Sequence, residues 1–165
     1  MRIRKVKITK YNQILIEYED GPSNGDEYSL TCREKARPEF YKAMEALAEH
    51  VADMCELPDD YLERITVRGV SYSYGGEAEV MGATISASME LENSYQPLNI
   101  LTLHKASGSY SDSPADPMQI LSGDCIRCLL ALQKECELYI RGDRAQGSLF
   151  PEVQQQEQVN QAQLN

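Results

Sequence analysis

The sequence predicts an α+β fold, an antiparallel sheet carrying two amphipathic helices in the order β-β-β-α-β-β-β-α, closed by a glutamine-rich C-terminal tail. Three observations lead there. Short runs of alternating apolar and polar residues lie between dense clusters of turn formers, and two longer segments repeat apolar residues at helical spacing. The last stretch, with Gln154, Gln155, Gln156, Gln158, Gln161 and Gln163, cannot build a core. A chain of 165 residues, 42% of them hydrophobic, suits one globular domain, so the expected division is a single α+β domain over 1-142 and a tail over 143-165.

The opening reads as three antiparallel strands. V-K-I-T (Val6 to Thr9) and I-L-I-E-Y (Ile14 to Tyr18) flank a polar turn at Tyr11 and Asn12, and D-G-P-S-N-G-D leads into Y-S-L-T-C, where Tyr28, Leu30 and Cys32 alternate. Pro38 then stands where a first-turn proline belongs. Phe40, Met44, Leu47, Val51 and Met54 follow at steps of four and three, which predicts one helix ending before Pro58. Beyond it Ile65 and Val67 alternate until the parity shifts at Gly69 to Val70, Tyr72 and Tyr74, the mark of a bulge. G-G-E-A-E is the turn into a long return strand from Met81 to Leu91, and Leu98 to Leu103 is a further strand. A serine-rich loop ends at Asp116, an expected N-cap with Pro117 at the first helical position. From there Met118, Leu121, Cys125, Cys128, Leu132, Cys136 and Tyr139 recur at helical spacing up to a stop at Gly142.

Charge narrows the function classes. Up to Arg37 there are eight Lys/Arg against six Asp/Glu, and from Pro38 onward eight against twenty, so a basic first strand sits on an acidic body with a net charge of -10. That balance argues against broad non-specific binding to nucleic acid and leaves room only for a local DNA contact. No run approaches the roughly 20 apolar residues of a membrane helix, and the basic start lacks an apolar export segment. A cytoplasmic protein is expected, its five cysteines reduced.

Few residues offer chemistry. Cys125 and Cys128 have the two-residue gap of zinc and redox sites, yet no second such pair exists and Cys136 continues their stripe, so they read as core packing inside a helix. His50 has Asp53 three residues on and His104 stands beside Lys105, but no sequence-local feature places a nucleophile or an orienting carboxylate around either ring, and His50 reads as partly exposed. Asp59, Asp60, Asp112 and Asp116 read as turn and cap residues, and Gly82 as a close-packed strand position. No enzyme, cofactor or metal is expected. Arg2, Arg4, Lys5, Lys7 and Lys10 read first as the protected edge of a sheet and second as local DNA contacts. Tyr72, Tyr74 and Tyr95, interleaved with serines, read first as strand residues and second as a surface for a small ligand.

The tail carries the sharper signal. Gln146-Gly147-Ser148-Leu149-Phe150 resembles the Q-x-[SD]-L-F peptide by which bacterial polymerases and repair proteins dock onto the β sliding clamp. The resemblance implies that Leu149 and Phe150 enter an apolar pocket of the clamp, that Gln146 hydrogen-bonds at its rim, and that Ser148 takes the usual Ser/Asp position. Gly147 stands where that peptide often has Leu, which implies a looser fit. The competing reading folds Leu149 and Phe150 back onto the domain as a last core contact. The stretch V-R-G-V-S-Y-S-Y-G-G-E-A-E-V-M-G-A-T-I-S-A (Val67 to Ala87), with the closing R-A-Q-G-S-L-F, is also similar to small proteins encoded by prophages of gut Firmicutes. That likeness implies a bacterial replication context and no particular activity. The expectation is therefore a non-enzymatic phage accessory protein that docks on the host clamp, in replication or recombination or their inhibition. The alternative is an acidic counter-defence protein that binds a host protein or sequesters a small ligand.

Overall fold

The computed structural model describes residues 1–145. Their strands are β1 (Arg2–Ile8), β2 (Ile14–Asp20), β3 (Asp26–Cys32), β4 (Ile65–Gly75), β5 (Val80–Leu91), β6 (Ser94–Leu101) and the two-residue β7 (Lys105–Ala106); the α-helices are α1 (Pro38–Glu45), α2 (Ala48–Met54) and α3 (Gly123–Ile140). The sheet runs β3-β2-β1-β4-β5-β6, every named pair antiparallel, with β7 beside β5. The α+β class with an antiparallel sheet is thus present among the described residues.

Local chemistry sets the connections. In the β1–β2 turn the Thr9 hydroxyl accepts from the amides of Tyr11 and Gln13, while Asn12 takes φ 56°, a left-handed conformation asparagine tolerates. The parity shift in β4 is a register shift between Val67 and Gly69 against β5, so Val67 and Val70 both face inward. One face of the sheet presents Ile3, Val6, Ile14, Ile16, Val70, Tyr72 and Ile85, and the helices cover it with Phe40, Leu47, Val51, Leu129, Leu132 and Tyr139 in one continuous core. Each such aliphatic side chain contributes about 1.5–3 kcal/mol by leaving water. Residues of opposite parity, among them Lys5, Lys7, Glu17, Ser71 and Thr84, form the polar face.

Four expectations are corrected. The first predicted helix is two: around Ala46 and Leu47 the bonding tightens, Leu47 N–H donating to Met44 three residues back, before Val51 N–H donates to Leu47 and the α pattern resumes. Its stripe survives because Phe40, Met44, Leu47 and Val51 all stay buried. The second predicted helix starts later. Asp116 does accept from Met118 N–H, but it caps only a single 3-10 turn, Pro117–Gln119, and Met118 is 81% exposed. Ile120 then runs extended against Ala106, and Ser122 caps α3 by accepting from Cys125 N–H at 3.1 Å. Finally, the basic strand is not a sheet edge: β1 lies in the interior, between β2 and β4. The third predicted strand of the second β region begins at Ser94, four residues before Leu98.

The stop at Gly142 holds. Gly142 has φ 108°, its N–H donates to Tyr139 C=O and the Asp143 N–H donates to Leu138 C=O, the paired bonds by which a left-handed residue closes a helix.

Candidate functional site

Just past that stop, the chain is tied down. The Arg144 guanidinium stacks 3.6 Å over the Tyr139 ring, its Nε donates to Glu34 at 2.9 Å, and the Ala145 N–H donates to Lys35 C=O at 2.9 Å. Tyr139 reinforces the strut, its hydroxyl donating to Glu34 C=O at 2.6 Å. A cation stacked on an aromatic face and also paired with a carboxylate is worth about 0.5–2 kcal/mol, enough to fix the direction in which the chain leaves α3. Gln146, Ser148, Leu149 and Phe150 lie outside the described residues and begin immediately beyond this anchor.

The cations of β1 are largely matched by carboxylates. Arg2 pairs with Glu79 and, at 3.5 Å, with Glu19; Arg4 pairs with Glu19 at 3.4 Å, and Lys5 lies 3.9 Å from Glu17. The Arg2 guanidinium is held above its ordinary value chiefly by its hydrogen bond to Glu79. Antiparallel pairing supplies the partners from β2, since Arg2 and Lys5 stand opposite Glu19 and Glu17, while Glu79 reaches Arg2 from the β4–β5 turn. Lys7 and Lys10 are exposed, Lys10 lying 5.0 Å from the Tyr11 ring centre.

The structure does not bring the three tyrosines together. Tyr72 is buried and donates to Leu129 C=O at 2.9 Å, riveting β4 to α3. Tyr74 donates to Ile3 C=O at 2.9 Å and accepts from Gln133 at 2.8 Å. Tyr95, fully exposed, stands by the opposite end of β5, since Tyr74 pairs with Met81 while Ser94 pairs with Leu91.

Two hollows gather residues that the sequence keeps apart. On the helix side a cavity of about 170 Å³ is lined by His50, Asp53, Lys105, Ser122 and Cys125. His50 is buried, 6% exposed, where the sequence suggested partial exposure; its Nε2 lies 3.7 Å from the Cys128 Sγ and 3.5 Å from Glu49. Cys125 occupies the first turn of α3 instead of mid-helix, because α3 starts only at Gly123. Burial pushes the Cys125 thiol up to about 11 and also raises Cys128, so both are thiols at neutral pH and poor nucleophiles. Among the described residues no group of three or more His, Cys, Asp or Glu side chains is arranged to hold a metal ion. Core packing accounts for Cys125 and Cys136, both buried in the apolar cluster.

The second hollow lies on the polar face. There the His104 Nε2 meets the Ser73 hydroxyl at 2.8 Å and the Tyr110 hydroxyl at 3.4 Å, and the two rings lie 21° from parallel. Gly82 makes the arrangement possible: a Cβ there would come within 2.4 Å of His104 Nε2 and 2.7 Å of Ser73 Oγ. A cavity of about 320 Å³ opens beside the imidazole, lined also by Ser109, Tyr110, Asp116 and Gln119. Two hydroxyls on one ring nitrogen orient the imidazole, and the wall of hydroxyl, carboxylate and amide groups suits a small polar ligand. Sequence reasoning missed this group because Ser73 and His104 are 31 residues apart. The one signal was Gly82, whose closeness of packing was legible without its cause.

Comparison of the chain with protein-family models, with curated proteins and with solved structures gives no match. Among the described residues no helix is long and apolar enough to cross a membrane.

Proposed function

We propose that this protein is a non-enzymatic phage accessory factor that docks on the host DNA sliding clamp through Gln146, Ser148, Leu149 and Phe150, in DNA replication or recombination or in their inhibition. The observation that carries this reading is the Q-G-S-L-F peptide in register with a fixed exit: it follows Ala145, the residue whose amide is bonded to Lys35. Residues 1–145 build a continuous core from side chains within that span. An adjacent apolar pair beside a glutamine-rich stretch is what an extended peptide needs to be captured in a partner's groove. The likeness to prophage proteins supports the bacterial setting. With Arg2, Arg4 and Lys5 matched by carboxylates, Lys7 and Lys10 are the cations best placed for a local DNA contact.

The test is co-elution of the intact chain, and of a chain ending at Ala145, with purified bacterial clamp. Intact protein should shift with the clamp and the shortened one should not; equal behaviour of the two removes this reading. One observation favours a second reading, ligand sequestration. The hollow bounded by His104 and Tyr110 is polar and open, and it replaces Tyr72, Tyr74 and Tyr95 as the surface that would hold the ligand. A small molecule retained in native mass spectra of wild type and lost with His104→Ala would favour it.

A further inference from the structure

The two edges of the sheet are built in opposite ways. At one edge β3 displays Asp26 and Glu27, exposed carboxylates of the kind that keep an edge from pairing. At the other, the segment from Asn93 to His104 contains no Asp, Glu, Lys or Arg, in a chain of net charge -10. That neutral segment is also greasy: Tyr95 is fully exposed, and Leu98, Leu101 and Leu103 are 46%, 71% and 76% exposed. Among the described residues no strand lies beyond β6.

The backbone of this edge has a definite polarity. Thr102 N–H donates to Ile85 C=O, and the register continues through Ile100 opposite Ala87 and Leu98 opposite Met89. In an antiparallel ladder the residues between, Asn99, Leu101 and Leu103, therefore turn their N–H and C=O groups outward. Pro97 shares their parity and has no N–H, so the pairing-competent edge runs from Asn99 to Leu103. Past it the chain is covered, since Ala106 of β7 bridges to Ile120.

We propose that this edge pairs with the same edge of a second copy, antiparallel about a two-fold axis at Leu101, joining two sheets into one. Leu101 then faces Leu101, and Asn99 faces Leu103. The occupant is a second copy on grounds of charge. Two bodies of charge -10 repel over most of their surfaces, and a neutral strip meets its own image without setting carboxylate against carboxylate. A charged partner, acidic or basic, would find no counter-ion from Asn93 to His104. The chain's own last residues start from Ala145, bonded to Lys35 beyond the end of β3, at the far side of a sheet whose five strand spacings span about 24 Å. The Q-G-S-L-F peptide therefore begins away from this edge, and a dimer would carry two such peptides.

Sedimentation equilibrium of the full chain over a range of concentrations tests this. Wild type should show a concentration-dependent mass rising to twice 18.6 kDa, favoured by added salt, which screens the repulsion between the acidic bodies. Leu101→Lys sets two ammonium groups face to face on an exposed position, so it should stay folded by circular dichroism yet weaken dimerisation at least about tenfold. Asn99→Lys combined with Leu103→Glu places opposite charges across the axis and should retain the dimer. A wild-type chain that stays monomeric, a dimer indifferent to Leu101→Lys, or loss of the dimer in a chain ending at Ala145 (which would make the tail the occupant) overturns the proposal. The clamp reading stands or falls separately, on Leu149 and Phe150.

Discussion

Arg37 and Glu135 show how much one pair of side chains does here. The guanidinium just before α1 grips the buried carboxylate of α3 with two hydrogen bonds, at 2.7 and 2.8 Å, so a single fork locks the two helices. Its hydrogen bonds hold Glu135 below the usual carboxylate range. A depressed folded-state pKa stabilises above the unfolded value, and that stability is lost as pH falls through the folded one. Glu135→Gln should therefore lower unfolding free energy by about 1.5–3 kcal/mol at neutral pH, the range for charged hydrogen bonds. In denaturant titrations the gap from wild type should close as the pH drops below the carboxylate range. A gap that stays constant with pH would mean the pair acts only through shape. Gly82→Ala makes a second residue-scale test. The added methyl meets His104 and Ser73, and a cost of about 1–3 kcal/mol is expected, partly recovered in a His104→Ala background. Full additivity of the two substitutions would show that the imidazole does not rest on Gly82.

At the scale of elements, the helix starts carry the clearest test. Two N-cap signals stand six residues apart, Asp116 before Pro117 and Ser122 before Gly123, and only Ser122 opens α3. Ser122→Ala should cost about 1 kcal/mol of global stability, whereas Asp116→Ala should cost clearly less, since it frees only a single turn. Equal losses in thermal melts would contradict that assignment. The same comparison shows what was legible. The bulge at Gly69 and the stop at Gly142 could be read because alternation and helix closure are local: a parity flip, or a glycine after an apolar stripe, is visible within a few residues. The interior position of β1 could not, since it depends on β4 returning past two helices to pair Val70 with Val6. Arg2, Arg4 and Lys5, which looked like edge protection, are instead cross-strand partners for the carboxylates of β2. The burial of His50 and its approach to Cys128 join α2 to α3 across 78 residues, beyond any spacing rule. The candidate peptide rests on sequence alone, because five consecutive residues carry the resemblance and all of them lie outside the described residues.

For the whole molecule, the geometry separates three regions. One face of the sheet is consumed by the helices and the core; the polar face carries the hollow at His104; the chain leaves α3 through a strut at Glu34 and Lys35, far from the neutral edge. A tethered domain of this kind would be carried by whatever grips the segment after Ala145. Affinity for the clamp should depend on two apolar anchors and little on the acidic body, so it should change modestly with salt. The most direct measurement is calorimetric titration of the full chain into purified bacterial clamp, wild type beside Leu149→Ala with Phe150→Ala. Saturable binding by wild type, weakened at least about a hundredfold in the double variant, is the expected result. Wild-type protein that releases no heat and shows no binding, or a double variant that binds as tightly as wild type, would contradict it.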